Sequence, residues 1–389
     1  MKYLSFALLF LSLHLSAQPE IQKKLQNQFI SVEDGDTIFI ESGKITLNQS
    51  LWLDAKKNVV IKGTGMDKTI LSFMGQSAGA EGIKVTDSKN ITISDLTVED
   101  TKGDCIKTQK VDGIKFERVT TRWTGKPKES NGAYGFYPVQ CTNVMIDNCV
   151  ARGASDAGIY VGQSSYIVVK NCKAIENVAG IEIENSLYAD VYDNEAVNNT
   201  GGILVFDMPD LPQKKGGYVR VYNNNVHDNN FRNFAPKGNI VGKVPPGTGV
   251  IILATNHVEV YENKIQNNRT MGVGIISYYI TENPFKDKDY YPYPSDISIH
   301  HNRFERKAVP ATMQGRMGKM FRFKLKFGKK VPHIIYDGIR DEKRKGETGL
   351  ICIHDNQNES FAEIDASNGF KNISKDLKAY QCKKAPLKF

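Results

Sequence analysis

Along most of this 389-residue chain, short runs of alternating apolar and polar residues recur between polar turns. Four blocks of 22 residues open on one pattern. They are GIKVTDSKNITISDLTVEDTKG from Gly82, FYPVQCTNVMIDNCVARGASDA from Phe136, GIYVGQSSYIVVKNCKAIENVA from Gly158 and GIEIENSLYADVYDNEAVNNTG from Gly180. Alternation with period two predicts strands that bury one face. A 22-residue period with two or three strands per block predicts one rung of a parallel solenoid. No rung buries its apolar face alone, so stacked rungs share one core and line up outward side chains about 4.8 Å apart.

A second regularity sets the register. An asparagine follows a strand at Asn148, Asn171, Asn194, Asn224, Asn263 and Asn302, with spacings of 23, 23, 30, 39 and 39. The strand is constant while the turns lengthen. Asn carries donors and acceptors that can bond to amides above and below. The expectation is a structural Asn ladder beginning at Asn148, with Asp95 and Arg118 in the equivalent place before it and Asn356 as a last member. Residues 20–29 carry Ile21, Leu25 and Phe29 at helical spacing, which predicts a short helix capping the first rung. The expected fold is all-β: a single parallel β-helix of roughly ten rungs with an N-terminal cap helix, its right hand following from the resemblance given below.

The ends and the composition refine this picture. Lys2, the apolar run Tyr3–Leu15 and Ser16-Ala17 read as a secretory signal over residues 1–17. The run is too short to span a bilayer, and no other segment is apolar enough. The expectation is an exported protein, periplasmic or extracellular. Export makes the six cysteines disulfide candidates. Cys149 and Cys172 sit one rung apart, where a disulfide and stacked free thiols both fit; Cys352 and Cys382 are placed to staple the C-terminus to the last rung. No C-x-x-C or His/Cys cluster points to a metal, and no cofactor is implied.

The net charge of +8 is uneven. Residues 306–346 hold 13 Lys+Arg against three Asp+Glu, a net of +10. This stretch lacks the rung pattern and reads as an insertion, either a solvated excursion or a surface for an anionic partner. The domain reading is a signal over 1–17, β-helix over 18–305, basic insertion over 306–346, and a final rung with C-terminal cap over 347–389. A second departure, Met208 to about Gly249, is rich in Pro, Gly and Asn around VRVYNNNVHDNN. Long loops of this kind overhang binding faces.

The repeat, the ladder and the opening DGDTIFIESG resemble the right-handed parallel β-helix superfamily, which includes pectate-lyase-like enzymes, polygalacturonases and alginate epimerases. SDAGIYVGQS, AGIEIENS, NTGGILVFDMPDLP and NFAPKGNIVGKVPPGTG are similar to an exported bacterial family of β-helix repeat proteins without an established activity. The resemblance implies the fold and leaves function to the site. Gly103-Asp104-Cys105-Ile106-Lys107 matches only part of a polygalacturonase signature, without G-H-G or R-I-K. The epimerase D-P-H run is absent. His300-His301-Asn302-Arg303-Phe304 matches a pectate-lyase run, with Arg306, Pro310 and Arg316 following loosely, but Asn302 is already a ladder residue.

Alternation sends Lys84, Lys107, Tyr137, Tyr160, Glu182 and Leu204 outward in one column. Thr86, Gln109, Gly162, Glu184 and Phe206 form the next. Cations, phenols and carboxylates on contiguous rungs suit a groove for an acidic sugar chain. Tyr160, Glu182 and Lys107 are the catalytic candidates. Lys84, Tyr137, Asp156, Gln163, Glu184, Asn185 and Asp207 are the substrate-binding candidates. Repulsion between Glu182 and Glu184, two apart on one face, is expected to raise a pKa. Ordinary exposed strand residues remain the plain alternative. The function reading is binding or processing of an anionic polysaccharide, by lyase- or epimerase-like chemistry if catalytic. The alternatives are a non-catalytic envelope scaffold or partner-binding protein, and a glycoside hydrolase using Glu182 with Glu184 or Asp207.

Overall fold

The computed structural model describes residues 20–344, 347 and 350–389; the leader expected over residues 1–17 lies outside them. Among the described residues the strands form two parallel sheets, of 19 and 11 strands. Inward Ile and Val residues of both build one continuous apolar core from Leu25 to Tyr380. The alternation is literal in the strand Ala157–Gly162, where Ile159 and Val161 join that core while Tyr160 faces out.

A helix over residues 20–31 covers the open end of the first rung. Leu25 and Phe29 point inward as expected, but Ile21 is 40% exposed. Gln22 takes the third inward position because the first rung leaves backbone donors unpaired. Its side-chain oxygen accepts from the N–H groups of Asn48 and Gln49, each at 3.2 Å.

The Asn ladder is present, one residue out of the expected register at its start. Asn194, Asn224, Asn263, Asn302 and Asn356 donate amide to amide in sequence, at 2.9–3.0 Å. Asn148 and Asn171 are exposed turn residues with φ of 53° each. The buried slot beside them is filled by Cys149 and Cys172, both free thiols. Asn suits either place, because its short side chain tolerates the left-handed region as well as a buried amide network. A second ladder runs parallel: Asn177 donates to Asn199, Asn199 to Asn229 and Asn229 to Asn268, at 2.9–3.2 Å. Its spacings of 22, 30 and 39 track the first ladder and were legible in the sequence.

The basic stretch is not wholly an excursion. Ile334–Tyr336 is a rung strand, paired to Val273–Ile275 and to Phe361–Glu363. Its three residues are too few to register as a repeat against the surrounding charge. The lysines Lys326, Lys329 and Lys330 are exposed. Cys352 and Cys382 are joined in a disulfide, Cα to Cα 4.9 Å, which ties the C-terminal tail to the last rung.

Asn224→Leu and Asn229→Leu should each lower unfolding free energy by about 1–3 kcal/mol, since buried turn amides lose their partner. Asn171→Gly, which keeps the turn conformation, should change it by no more than about 0.5 kcal/mol. Chemical denaturation of the three variants checks the ladder register; equal losses at 171 and 224 would contradict it.

Candidate functional site

The outward columns exist as read. Strand register aligns Trp52 with Lys84, Lys84 with Lys107 and Lys107 with Tyr137. It continues from Tyr160 to Glu182 and from Glu182 to Leu204. All lie on the outer face of the 11-stranded sheet. The next column aligns Thr86 with Gln109, Gly162 with Glu184 and Glu184 with Phe206.

The two ends of this face differ in exposure. Trp52 is 49% exposed, and Lys84, Lys107 and Tyr137 are half-buried. The Lys84 ammonium stands 5.5 Å from the Trp52 ring centre and Lys107 4.9 Å from that of Tyr137. Tyr134, Tyr137 and Tyr160 then pack in a triangle with centroids 4.5–5.1 Å apart. Tyr160 and Glu182, expected in an open groove, are buried at 4% and 1% exposure. They lie outside the inner core, under the 208–249 loop, whose Phe234, Val241 and Val244 share an apolar cluster with Tyr160, Leu204 and Phe206. Alternation reports the face of a strand but not what covers it.

Tyr160 reaches across the neighbouring column. Its hydroxyl donates to Glu184 at 2.7 Å, over the bare backbone of Gly162. A Cβ at Gly162 would sit 2.2 Å from that hydroxyl, so only glycine admits this path. Glu184 is half-buried and is where the covered cluster meets the exposed strip. Asp156, buried, accepts from the Asn239 amide at 2.9 Å. One oxygen of Glu182 is buried without a hydrogen-bond partner.

Burial, more than mutual repulsion, sets the charge state here. It raises Glu182 well above the usual carboxylate range, with Asp156 and Glu184 adding to the effect. It raises Glu184 against the opposing Tyr160 hydrogen bond. Asp156 and Asp207 are each pushed up to about 7, and Asp104 to about 6 despite the opposing Lys107 charge. Tyr137 is pushed up to about 12, so it enters any reaction as a neutral phenol.

Residues 81–213 match the family described as a right handed beta helix region. The mannuronan C-5 epimerase AlgE4 A-module of Azotobacter vinelandii superposes with a TM-score of 0.51 at 15% identity, over 87% of this chain and 90% of that one. This chain has the right-handed parallel β-helix fold. It is also 23% identical over 222 residues to the pre-neck appendage protein of Bacillus phage B103, covering 47% of this chain and 25% of that protein. The preneck appendage protein of Bacillus phage PZA is 23% identical over 292 residues, 64% of this chain and 33% of that protein. The chain thus spans a quarter to a third of the length of these curated relatives.

Other expected site residues in this β-helix hold loops. The Asn185 amide donates to the carbonyls of Met208 and Gln213 and accepts from the Met208 N–H, at 2.7–2.9 Å, which occupies it fully. Gln163 accepts from the Gln213 N–H at 3.5 Å. Asp207 accepts from the Gly216 N–H at 2.9 Å. Trp52 and Tyr134 belong to the face and were missed. Trp52 was legible as one rung further back in the same alternation; Tyr134 precedes the run FYPVQ, whose strand starts at Tyr134. Beyond the cluster, a cavity of about 880 Å³ is floored by Phe206, Ile251, Leu253 and Ile276. Asn239 forms part of its wall, while neither Tyr160 nor Glu182 lines it. On another face the turns bring His301, His354 and Asp355 together, with one nitrogen or oxygen of each within 4.8 Å of the others.

Because burial raises Asp156 and Asp207, folding favours their protonated forms. That contribution is complete below about pH 4, the unfolded value, and is lost as pH rises through about 7. Between pH 5 and 8 the melting midpoint of the natural chain should fall relative to that of Asp156→Asn and of Asp207→Asn, by about 2–4 °C. A pH-independent gap in thermal melts would show that these carboxyls are not raised.

Proposed function

We propose that this exported β-helix binds an anionic polysaccharide along the outer face of its 11-stranded sheet, with Trp52, Lys84, Lys107 and Tyr137 as the contact strip. Half-buried Glu184 at its inner end, positioned by the Tyr160 hydroxyl, handles protons in a lyase- or epimerase-type reaction. The observation that carries this reading is the in-register passage from solvent-accessible rings and half-buried ammonium groups to a phenol–carboxylate hydrogen bond at half-buried Glu184. Aromatic faces stack on sugar rings, and cations offset uronate charge. Four rungs from Trp52 to Tyr137 span about 14 Å, the length of about two or three sugar units. Elimination and epimerisation both begin by removing a proton α to a carboxylate, which a nearby ammonium makes more acidic. A mannuronan C-5 epimerase with the same fold is consistent with a uronate-containing substrate.

A second reading is a non-catalytic glycan-binding or scaffold protein of the envelope. It is favoured by the loop over Tyr160 and Glu182 and by the likeness to phage appendage proteins.

Incubation with a panel of acidic and neutral glycans tests both. Acidic glycans should bind, more weakly at high salt, and Lys84→Ala with Lys107→Ala should weaken binding by about tenfold or more. Unsaturated products or C-5 inversion should appear, be lost in Glu184→Gln and be reduced in Tyr160→Phe, without loss of binding. New reducing ends instead would indicate hydrolysis. Binding without any product supports the second reading. Equal retention of acidic and neutral glycans, or no effect of the lysine pair, refutes the proposed strip.

A further inference from the structure

On the outer side of the 19-stranded sheet, rings stack rung upon rung. Tyr192, Tyr222, Tyr261, His300 and His354 follow one another with centroids 4.8–5.2 Å apart and planes within 9° of parallel. The last step pairs His300 with His354 in strand register. The residue after each enters the left-handed turn, His301 with φ 55° and Asp355 with φ 52°. Two adjacent columns on two rungs therefore gather four groups at one corner: His300, His301, His354 and Asp355. The ladder residues Asn302 and Asn356 fix the turns directly behind them.

We propose that this corner is a binding site for a borderline divalent transition-metal ion of the zinc class, with His301, His354 and Asp355 as ligands. One nitrogen of each of these imidazoles and one oxygen of the carboxylate already lie within 4.8 Å of one another. Bonds of about 2.0–2.2 Å to a tetrahedral ion place donors about 3.3 Å apart. Closing that gap takes side-chain rotation only, because His301 and Asp355 are exposed. Two imidazoles and one carboxylate leave a coordination position open to water. They also disfavour calcium and magnesium, which prefer oxygen donors throughout.

The surroundings orient the ligands. His300 Nε2 donates to the buried Glu259 carboxylate at 3.0 Å, which leaves its Nδ1 to accept from His301 Nδ1–H at 2.8 Å. That relay assigns the lone pair of His301 to Nε2. Glu259 is itself held by the Leu387 N–H at 3.3 Å, so the tail that the Cys352–Cys382 disulfide anchors supports the same corner. Lys383 pairs with Asp355 at 2.9 Å and competes with the ion. It is 71% exposed and can swing aside. An ion here joins the turns of two successive rungs at the C-terminal end of the solenoid.

The test uses tag-free protein stripped with a chelator and titrated with Zn²⁺ against a chromophoric competitor. One saturable site per chain is expected, unaffected by excess Ca²⁺. His301→Asn and Asp355→Asn, both compatible with the left-handed turn, should each weaken Zn²⁺ binding by about tenfold or more. Zn²⁺ should raise the melting midpoint of the natural chain and leave that of His301→Asn unchanged. Absence of a saturable site, or Zn²⁺ affinity in both variants equal to that of the natural chain, overturns the proposal. Melting in chelator distinguishes loss of a ligand from loss of fold: both variants should then match the natural chain.

Discussion

Every feature of this protein depends on parallel register between rungs. A rung has no stable existence alone, since its inward Ile and Val side chains are covered only by those above and below. Turns impose the harder condition. Their backbone groups face the interior at each corner and must be paired in a place water does not reach. The two Asn ladders meet that condition by bonding amide to amide while also binding the turn backbone, as Asn224 does by accepting from the Asn194 N–H at 3.0 Å. A one-residue slip would expose these amides and bury the turns, so the ladders hold register as well as stability. Cys149 and Cys172 show where the solenoid does without the amide, filling the slot with a small buried thiol.

Regular register makes the outer faces chemically legible, because equal positions on successive strands become columns. On the 11-stranded sheet the column passes from Trp52 and two lysines through tyrosine to carboxylate. The loops that follow decide what each member can do. Where the 208–249 loop lies over Tyr160 and Glu182, desolvation raises the carboxyls, Glu182 well above the usual carboxylate range and Asp156 to about 7. On the earlier rungs half-buried Lys84 and Lys107 stand beside the rings of Trp52 and Tyr137. One repeat thus carries a half-buried strip of cations and rings and a buried acid cluster on the same face, meeting at Glu184. On the 19-stranded sheet the same rule stacks rings, and at the C-terminal rungs those rings become histidines anchored by Glu259 and the disulfide-tied tail.

Much of this was determined by the sequence alone. Period-two alternation in runs such as GIYVG dictates which side chains enter the core, and the 22-residue repeat dictates a solenoid, because local periodicity maps directly onto stacked strands. The partners of Lys107, Tyr137 and Glu182 in their column followed from that mapping. The tertiary structure decided what local pattern does not encode. Asn171 and Asn194 look alike in sequence, yet one occupies an exposed turn and the other a buried ladder, since a one-residue offset reverses burial. Asn185 appeared free to bind a ligand but is consumed by a loop returning from residues 208–213. Tyr160 and Glu182 were placed on the correct face, while their burial depended on a segment distant along the chain. His301 and His354, 53 residues apart, meet only because the intervening excursion closes back onto the next rung. Strand periodicity is a local property, whereas coverage and convergence arise from long-range closure, and that is where this protein's chemistry is set.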